Sequence, residues 1–145
     1  MTAKEYLSQA YRLDNLINNN VRELERLRDL ATRVASPSYE EHYSAPRSQE
    51  PPFVKYTNRY IDLDRTINAD IDRYVALKTE IRQTIAKLKN ADEQLVLRLK
   101  YLDHLTWPQV AHELKVDKST VRRWHDAALE HLELIMASSK GDWSI

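Results

Sequence analysis

A single glycine, Gly141, stands in a chain of 145 residues. Average usage is about 7%, so almost no position here takes the left-handed or mirror backbone conformations without cost. Primed hairpin turns, phosphate-cradling loops and dinucleotide-binding turns all depend on such positions. Those architectures are excluded. Leu, Glu, Lys, Arg and Ala dominate what is left, and these are the strong helix formers. Apolar residues at 42% are enough to build a core, while charged residues at 30% clothe its surface. The predicted fold class is all-α.

Periodicity divides the chain. From about residue 2 to 35, apolar residues recur at alternating steps of three and four: Ala3, Tyr6, Ala10, Leu13, Ile17, then Leu24, Leu27, Ala31 and Val34. This is the seam of a coiled-coil-like helix, and Asn20 is its one polar member. Thr2 and Glu5 form a T-x-x-E capping box at its start. Residues 36–55 hold Pro37, Pro46, Pro51 and Pro52 among serines, which predicts a linker, since proline removes backbone donors and disfavours helix before itself. The 3-4 spacing returns at about 56–89 with Tyr60, Leu63, Ile67, Asp70, Tyr74, Leu77, Ile81, Thr84 and Leu88. Ile71, Val75 and Ile85 widen the stripe. Asp70 and Arg73 are expected as a surface ion pair. Two such helices form a long antiparallel hairpin over residues 1–89, sealed by Leu13, Ile17, Leu24, Leu27, Leu63, Ile67, Leu77 and Ile81. Its wide apolar stripes point to a homodimer.

Residues 90–137 change character, and residues 138–145 read as a tail. Asn90 and Glu93 repeat the capping pattern before a helix at about 91–102, with Leu95, Leu99 and Leu102 on one face. Thr106-Trp107-Pro108-Gln109 opens a second helix with a capping box and a first-turn proline. A third runs from Asp117 to about Met136. Only Lys115-Val116 separates the last two, so they cross at a large angle, as in a helix-turn-helix. Ala111 is small enough for a close crossing. Val110, Leu114, Val116, Val121 and Trp124 fill the wedge, while Lys118, Ser119, Thr120, Arg122 and Arg123 point outward. Lys115 stands where such turns usually carry glycine, at a cost of order 1 kcal/mol.

Residues 91–134 resemble region 4 of the bacterial sigma-70 family. The resemblance rests on Glu93–Arg98, on Leu105-Thr106 followed by Val110-Ala111 and Leu114, and on Ala128-Leu129 followed by Leu132. The whole chain, including the start M-T-A-K-E-Y-L and the stretch H-Y-S-A-P-R, resembles small phage and prophage proteins of Gram-positive bacteria, grouped with the ArpU and RinA type regulators of late transcription. The resemblance implies double-stranded DNA as partner, with RNA polymerase beside it. It further implies that Lys118, Ser119 and Arg123 read bases and that Arg122 contacts the backbone. These residue types suit guanine edges and phosphates. Thr106 and the amides near it are expected to hold a phosphate.

Charge refines this. The net charge is zero. Residues 91–145 carry seven basic and nine acidic residues, but residues 118–123 carry three basic and no acidic ones. Attraction to DNA is therefore local and modest. A packaging or assembly adaptor like a small terminase subunit, or a helical interaction module, is the alternative. In small terminases the DNA-binding part precedes the oligomerising helices, the reverse of the order here. No enzyme is expected. Asp62/Asp64 and Asp70/Asp72 are two apart and face different sides of a helix, and no nucleophile elbow exists. Neither metal nor cofactor is expected. Cysteine is absent, His112-Glu113 lacks its second histidine, and His104, His112, His125 and His131 read as surface groups. The start Met1-Thr2-Ala3-Lys4-Glu5 has no apolar signal core, and no run approaches a membrane span. A cytoplasmic location is expected.

Overall fold

The computed structural model describes residues 1–34 and 51–142. All its regular structure there is helical: α1 (Ala3–Val34), α2 (Pro52–Ile85), α3 (Ala91–Leu97) continued by a π-helical turn (Arg98–Leu102), α4 (Trp107–Leu114) and α5 (Lys118–Asp142). The all-α expectation holds. Most of the expected linker lies outside the described residues. Its last residues do not stay extended, because Pro52 opens α2, where a missing N–H costs nothing and the fixed φ suits the first helical turn.

The seams are where the spacing puts them. Leu13, Ile17, Leu27, Ile67 and Ile81 are buried, and Leu24, Leu63 and Leu77 are half-buried. Tyr6 Oη and Thr84 Oγ1 share a hydrogen bond of 3.2 Å, so the start of α1 meets the end of α2, as an antiparallel hairpin requires. Thr2 Oγ1 accepts from the Glu5 amide at 3.1 Å, and the Thr2 amide donates to Glu5 Oε2 at 3.2 Å, closing the expected capping box. The wider stripe on α2 is only partly used. Ile85 is fully buried, but Ile71 and Val75 are 40% and 57% exposed. Asp70 corrects its expectation as well. It pairs with Arg73 at 3.2 Å, but its carboxylate is buried while the arginine lies in solvent.

The chain forms two compact units, and both long helices contribute to each. Residues 15–73 form one, and among its described residues Ile17 and Leu27 of α1 and Ile67 and Asp70 of α2 are buried. The other joins residues 1–14 to everything from Tyr74 onward. The contacts therefore do not thin at residues 89–90, where the periodicity changes. Ala3, Leu7 and Ala10 of α1 share one core with Ile81 and Ile85 of α2, Leu97, Leu102, and Ala128 and Leu132 of α5. The Ala3 amide donates to Glu133 Oε1 at 2.6 Å, a carboxylate from α5 at the positive end of α1.

The π turn explains a second departure. Leu95 is exposed, not aligned with Leu99 and Leu102. One extra residue per turn rotates the side chains beyond Leu97. Val96 and Leu99 then enter one core, and Leu97, Tyr101 and Leu102 enter the other. Asn90 caps α3 through Asp92 and Glu93 amides at 2.8 and 3.2 Å. The Glu93 side chain does not complete that box. It is buried and reaches His131 Nδ1 at 2.6 Å on α5 instead.

Leu7→Ala is expected to cost about 2–5 kcal/mol by loss of transfer energy and a residual cavity. Leu134→Ala, at a 69% exposed position, should stay within about 0.5 kcal/mol. Urea unfolding of both decides the matter, and equal midpoints would remove α1 from the core of this unit.

Candidate nucleic-acid interface

Helices α4 and α5 are joined by Lys115, Val116 and Asp117, a helix-turn-helix in the plain sense. Thr106 Oγ1 accepts from the Gln109 amide at 3.3 Å, and Gln109 Oε1 accepts from the Thr106 amide at 2.8 Å. Pro108 stands inside the first turn, where it needs no donor. At the other end Lys115 has φ 57° and ψ 41°, the left-handed conformation. Its amide and that of Val116 return to the carbonyls of His112 and Ala111. The geometry glycine usually supplies is here forced on a lysine.

The wedge assembles from the expected residues. Val110, Ala111 and Val121 are buried with Val96 and Leu99, and Leu105, Leu114, Val116 and Trp124 pack around them. Locking that face turns the opposite one outward. Lys118, Ser119, Arg122 and Arg123 are exposed and Thr120 is half-buried. Asp126 is exposed one turn beyond Arg122 and is the first acid along this face of α5. Thr106 is exposed, but its capping box engages its own hydroxyl and amide. Pro108 has no N–H, so the Trp107 amide is what the first turn of α4 leaves for an anion.

Sequence reasoning missed the polar supports beneath this face. His125 is buried, not at the surface. Its Nε2 lies 2.7 Å from Tyr101 Oη, and its Nδ1 faces Asp126 Oδ1 at 3.5 Å. Burial, with a smaller push from Asp126, raises the Tyr101 pKa to about 12. The phenol thus keeps its proton, and the carboxylate facing Nδ1 favours the tautomer that carries its proton there and accepts from the phenol at Nε2. Trp107 meets the His125 ring edge-on at 4.7 Å. His104 is half-buried at φ 56°. Its Nε2 is 2.8 Å from Tyr74 Oη, and its ring lies edge-on to Tyr11 at 5.6 Å. No local pattern announces the aromatic partners of these histidines, because each pair joins residues at least 18 positions apart. Beside them a cavity of about 360 Å³ opens between the first turns of α1 and the start of α4. Among the described residues no group of three His, Cys, Asp or Glu could hold a metal, and no helix is long and apolar enough to cross a membrane.

Residues 55–133 match a family described as "Protein of unknown function (DUF1492)". The chain belongs to that family. The matched stretch takes in nearly all of α2, the π turn, the helix-turn-helix and most of α5. No curated protein and no solved structure matches the chain.

Two measurements follow from this geometry. Lys115→Gly should stabilise the protein by roughly 0.5–1 kcal/mol, the left-handed strain relieved less the added chain entropy. Destabilisation in urea would mean that the lysine side chain holds the turn in some other way. The second concerns acid. Burial lowers the His125 pKa below 6.5, Asp126 opposes that shift, and Lys4 and Lys100 add to it. His104 is lowered too, chiefly by burial. Between the folded value and 6.5 the unfolded chain binds more protons than the folded one. Stability is therefore fullest above 6.5 and falls as pH drops below it. Denaturant midpoints measured from pH 7.5 to 5.5 should decline, and His125→Gln should flatten the decline. A slope unchanged in that variant would exonerate His125.

Proposed function

We propose that the protein is a DNA-binding transcription regulator of the phage or prophage type, reading double-stranded DNA with the first turns of α5 and acting beside RNA polymerase. One observation carries the reading. The residues whose chemistry suits base edges and phosphates, Lys118, Ser119, Arg122 and Arg123, are all exposed on a helix whose other face is fixed in the wedge core. A recognition helix must be held rigidly and present short and long polar groups together from its first turns. In this reading Lys118, Ser119 and Arg123 specify bases, Arg122 positions the backbone, and Thr120 supports both from its half-buried place.

The reading includes a homodimer. Leu16 and Leu30 on α1 and Ile61 and Ile71 on α2 are 38–47% exposed, apolar side chains that a second copy would cover. Two copies would also offset weak single-site attraction by binding two half-sites at once.

Selection from a random-sequence duplex pool, followed by footprinting of the enriched site, tests the reading. Arg123→Ala should cost about 1–3 kcal/mol and relax preference at one position. Arg122→Ala should weaken all sequences alike and lower the salt slope by about one. With three to five phosphates neutralised per domain, log K should fall against log salt with a slope of roughly −3 to −4.5. If no sequence is enriched and none is protected even with host RNA polymerase present, the helical interaction module takes the place of the regulator.

A further inference from the structure

The cavity beside α4 is not used by the reading helix. Two ammonium groups line it, Lys4 from α1 and Lys100 from the π turn, and none of its lining residues is a carboxylate. Three acids act on its wall without lining it: Asp14 and, less strongly, Asp103 on His104, and Asp126 on Tyr101. Lys100 is held in place. Its Nζ donates to the Leu105 carbonyl at 3.3 Å and sits 4.5 Å over the Trp107 ring. Tyr11, Tyr101 and Trp107 supply the stiff aromatic part of the wall. Two like charges sharing one cavity repel, and an anion between them relieves that repulsion. Thr106 and Trp107, at the positive end of α4, line the same cavity.

The cavity also lies on the right flank of α5. Trp107, in its wall, packs on His125. Arg122 is exposed three residues before His125, one turn along the same side. An anion held here would sit beside the expected backbone contact of the reading helix. The geometry points to a phosphate site: the cavity seats a backbone phosphate of the same duplex, with Lys4 and Lys100 as its cation pair. This rests on the DNA-reading function proposed above. It gives the first turns of α1, more than a hundred residues from the recognition helix in sequence, a direct part in binding.

The full chain is titrated with a labelled mixed-sequence duplex over a series of salt concentrations, as wild type, Lys4→Gln, Lys100→Gln and Lys100→Arg. Lys4 is exposed, so Lys4→Gln should melt like wild type and still lower the salt slope by about 0.9, the loss of one phosphate contact. Lys100→Gln should lower it similarly and Lys100→Arg should restore it. Base preference in the selected site should not move in any of them. A wild-type slope in Lys4→Gln, with wild-type duplex binding intact, overturns the phosphate site and leaves the regulator standing. If wild type binds no duplex at all, the regulator reading fails and takes this inference with it. Inorganic phosphate is titrated in parallel against tryptophan fluorescence. Saturable binding of the free ion that Lys4→Gln abolishes, without competition against duplex, would assign the cavity to a free anion and overturn the DNA phosphate.

Discussion

The burial of Leu7 between two alanines is the contact on which the C-terminal half depends. Ala3 and Ala10 are small enough to bring the α1 backbone close, and all three residues are fully buried with Ile81, Ile85, Leu97 and Leu132. The helix-turn-helix has a thin core of its own: Val96, Leu99, Val110, Ala111 and Val121. Each large aliphatic group contributes roughly 1.5–3 kcal/mol, against about 1–2 kcal/mol of backbone entropy for every residue ordered. Four such residues and one alanine, with four half-buried neighbours around them, are a small core for three helices. The second layer, supplied by α1 and the end of α2, makes up the difference. α5 is thus gripped on one side by its own turn and on another by residues from the opposite end of the chain.

The features legible in the sequence are those written in local periodicity. The 3-4 spacing located both long helices and most of their seam, but it passed over Leu7, which is fully buried beside Tyr6 because α1 packs a wider face there than a single 3-4 stripe. The capping boxes at Thr2 and Thr106 set two starts, and Ala111, Val116 and Val121 marked the wedge. Lys115 was legible as a problem, a non-glycine residue at a turn that demands positive φ, and the chain meets that demand at the expected position. The surfaces that periodicity misjudged are Ile71, Val75 and Leu95. A stripe shows which side chains are apolar, not how many partners cover them. Leu95 has a further cause, since the π turn resets the phase of the helix and leaves no mark in residue type.

Long-range polar pairing is illegible for a different reason. Glu93 looked like half a capping box and is instead buried, its carboxylate hydrogen-bonded to His131 on α5. His125 looked like a surface group and is buried between Tyr101 and Trp107. In each case the partner is fixed by how elements pack, not by spacing along the chain. The same holds for the cavity, whose two lysines are 96 positions apart. Candidate base contacts could be proposed from the sequence because they lie within the first two turns of one helix. The groups that position that turn could not.

The charge distribution ties these observations together. A duplex attracts any broad cationic face regardless of its sequence, and that attraction dominates nonspecific binding. This chain has no such excess: its net charge is zero, and Asp126 closes the basic stretch of α5 one turn after Arg122. On the two proposals above, attraction to a duplex would be concentrated at the first turns of α5 and at the pair of lysines beside α4. Binding then requires both places to be met at once by one rigid duplex. That is a geometric condition, and it is only as exacting as the link between them. Tyr101, His125 and Trp107 form that link, joining the π turn, α5 and α4 through one hydrogen bond and two ring contacts. A buried histidine that stays neutral serves here better than an ion pair, because it fixes distance and orientation without adding charge beside the phosphates. In that reading low net charge and a stiff aromatic joint are parts of one arrangement, in which selectivity would come from fit and not from strength of attraction.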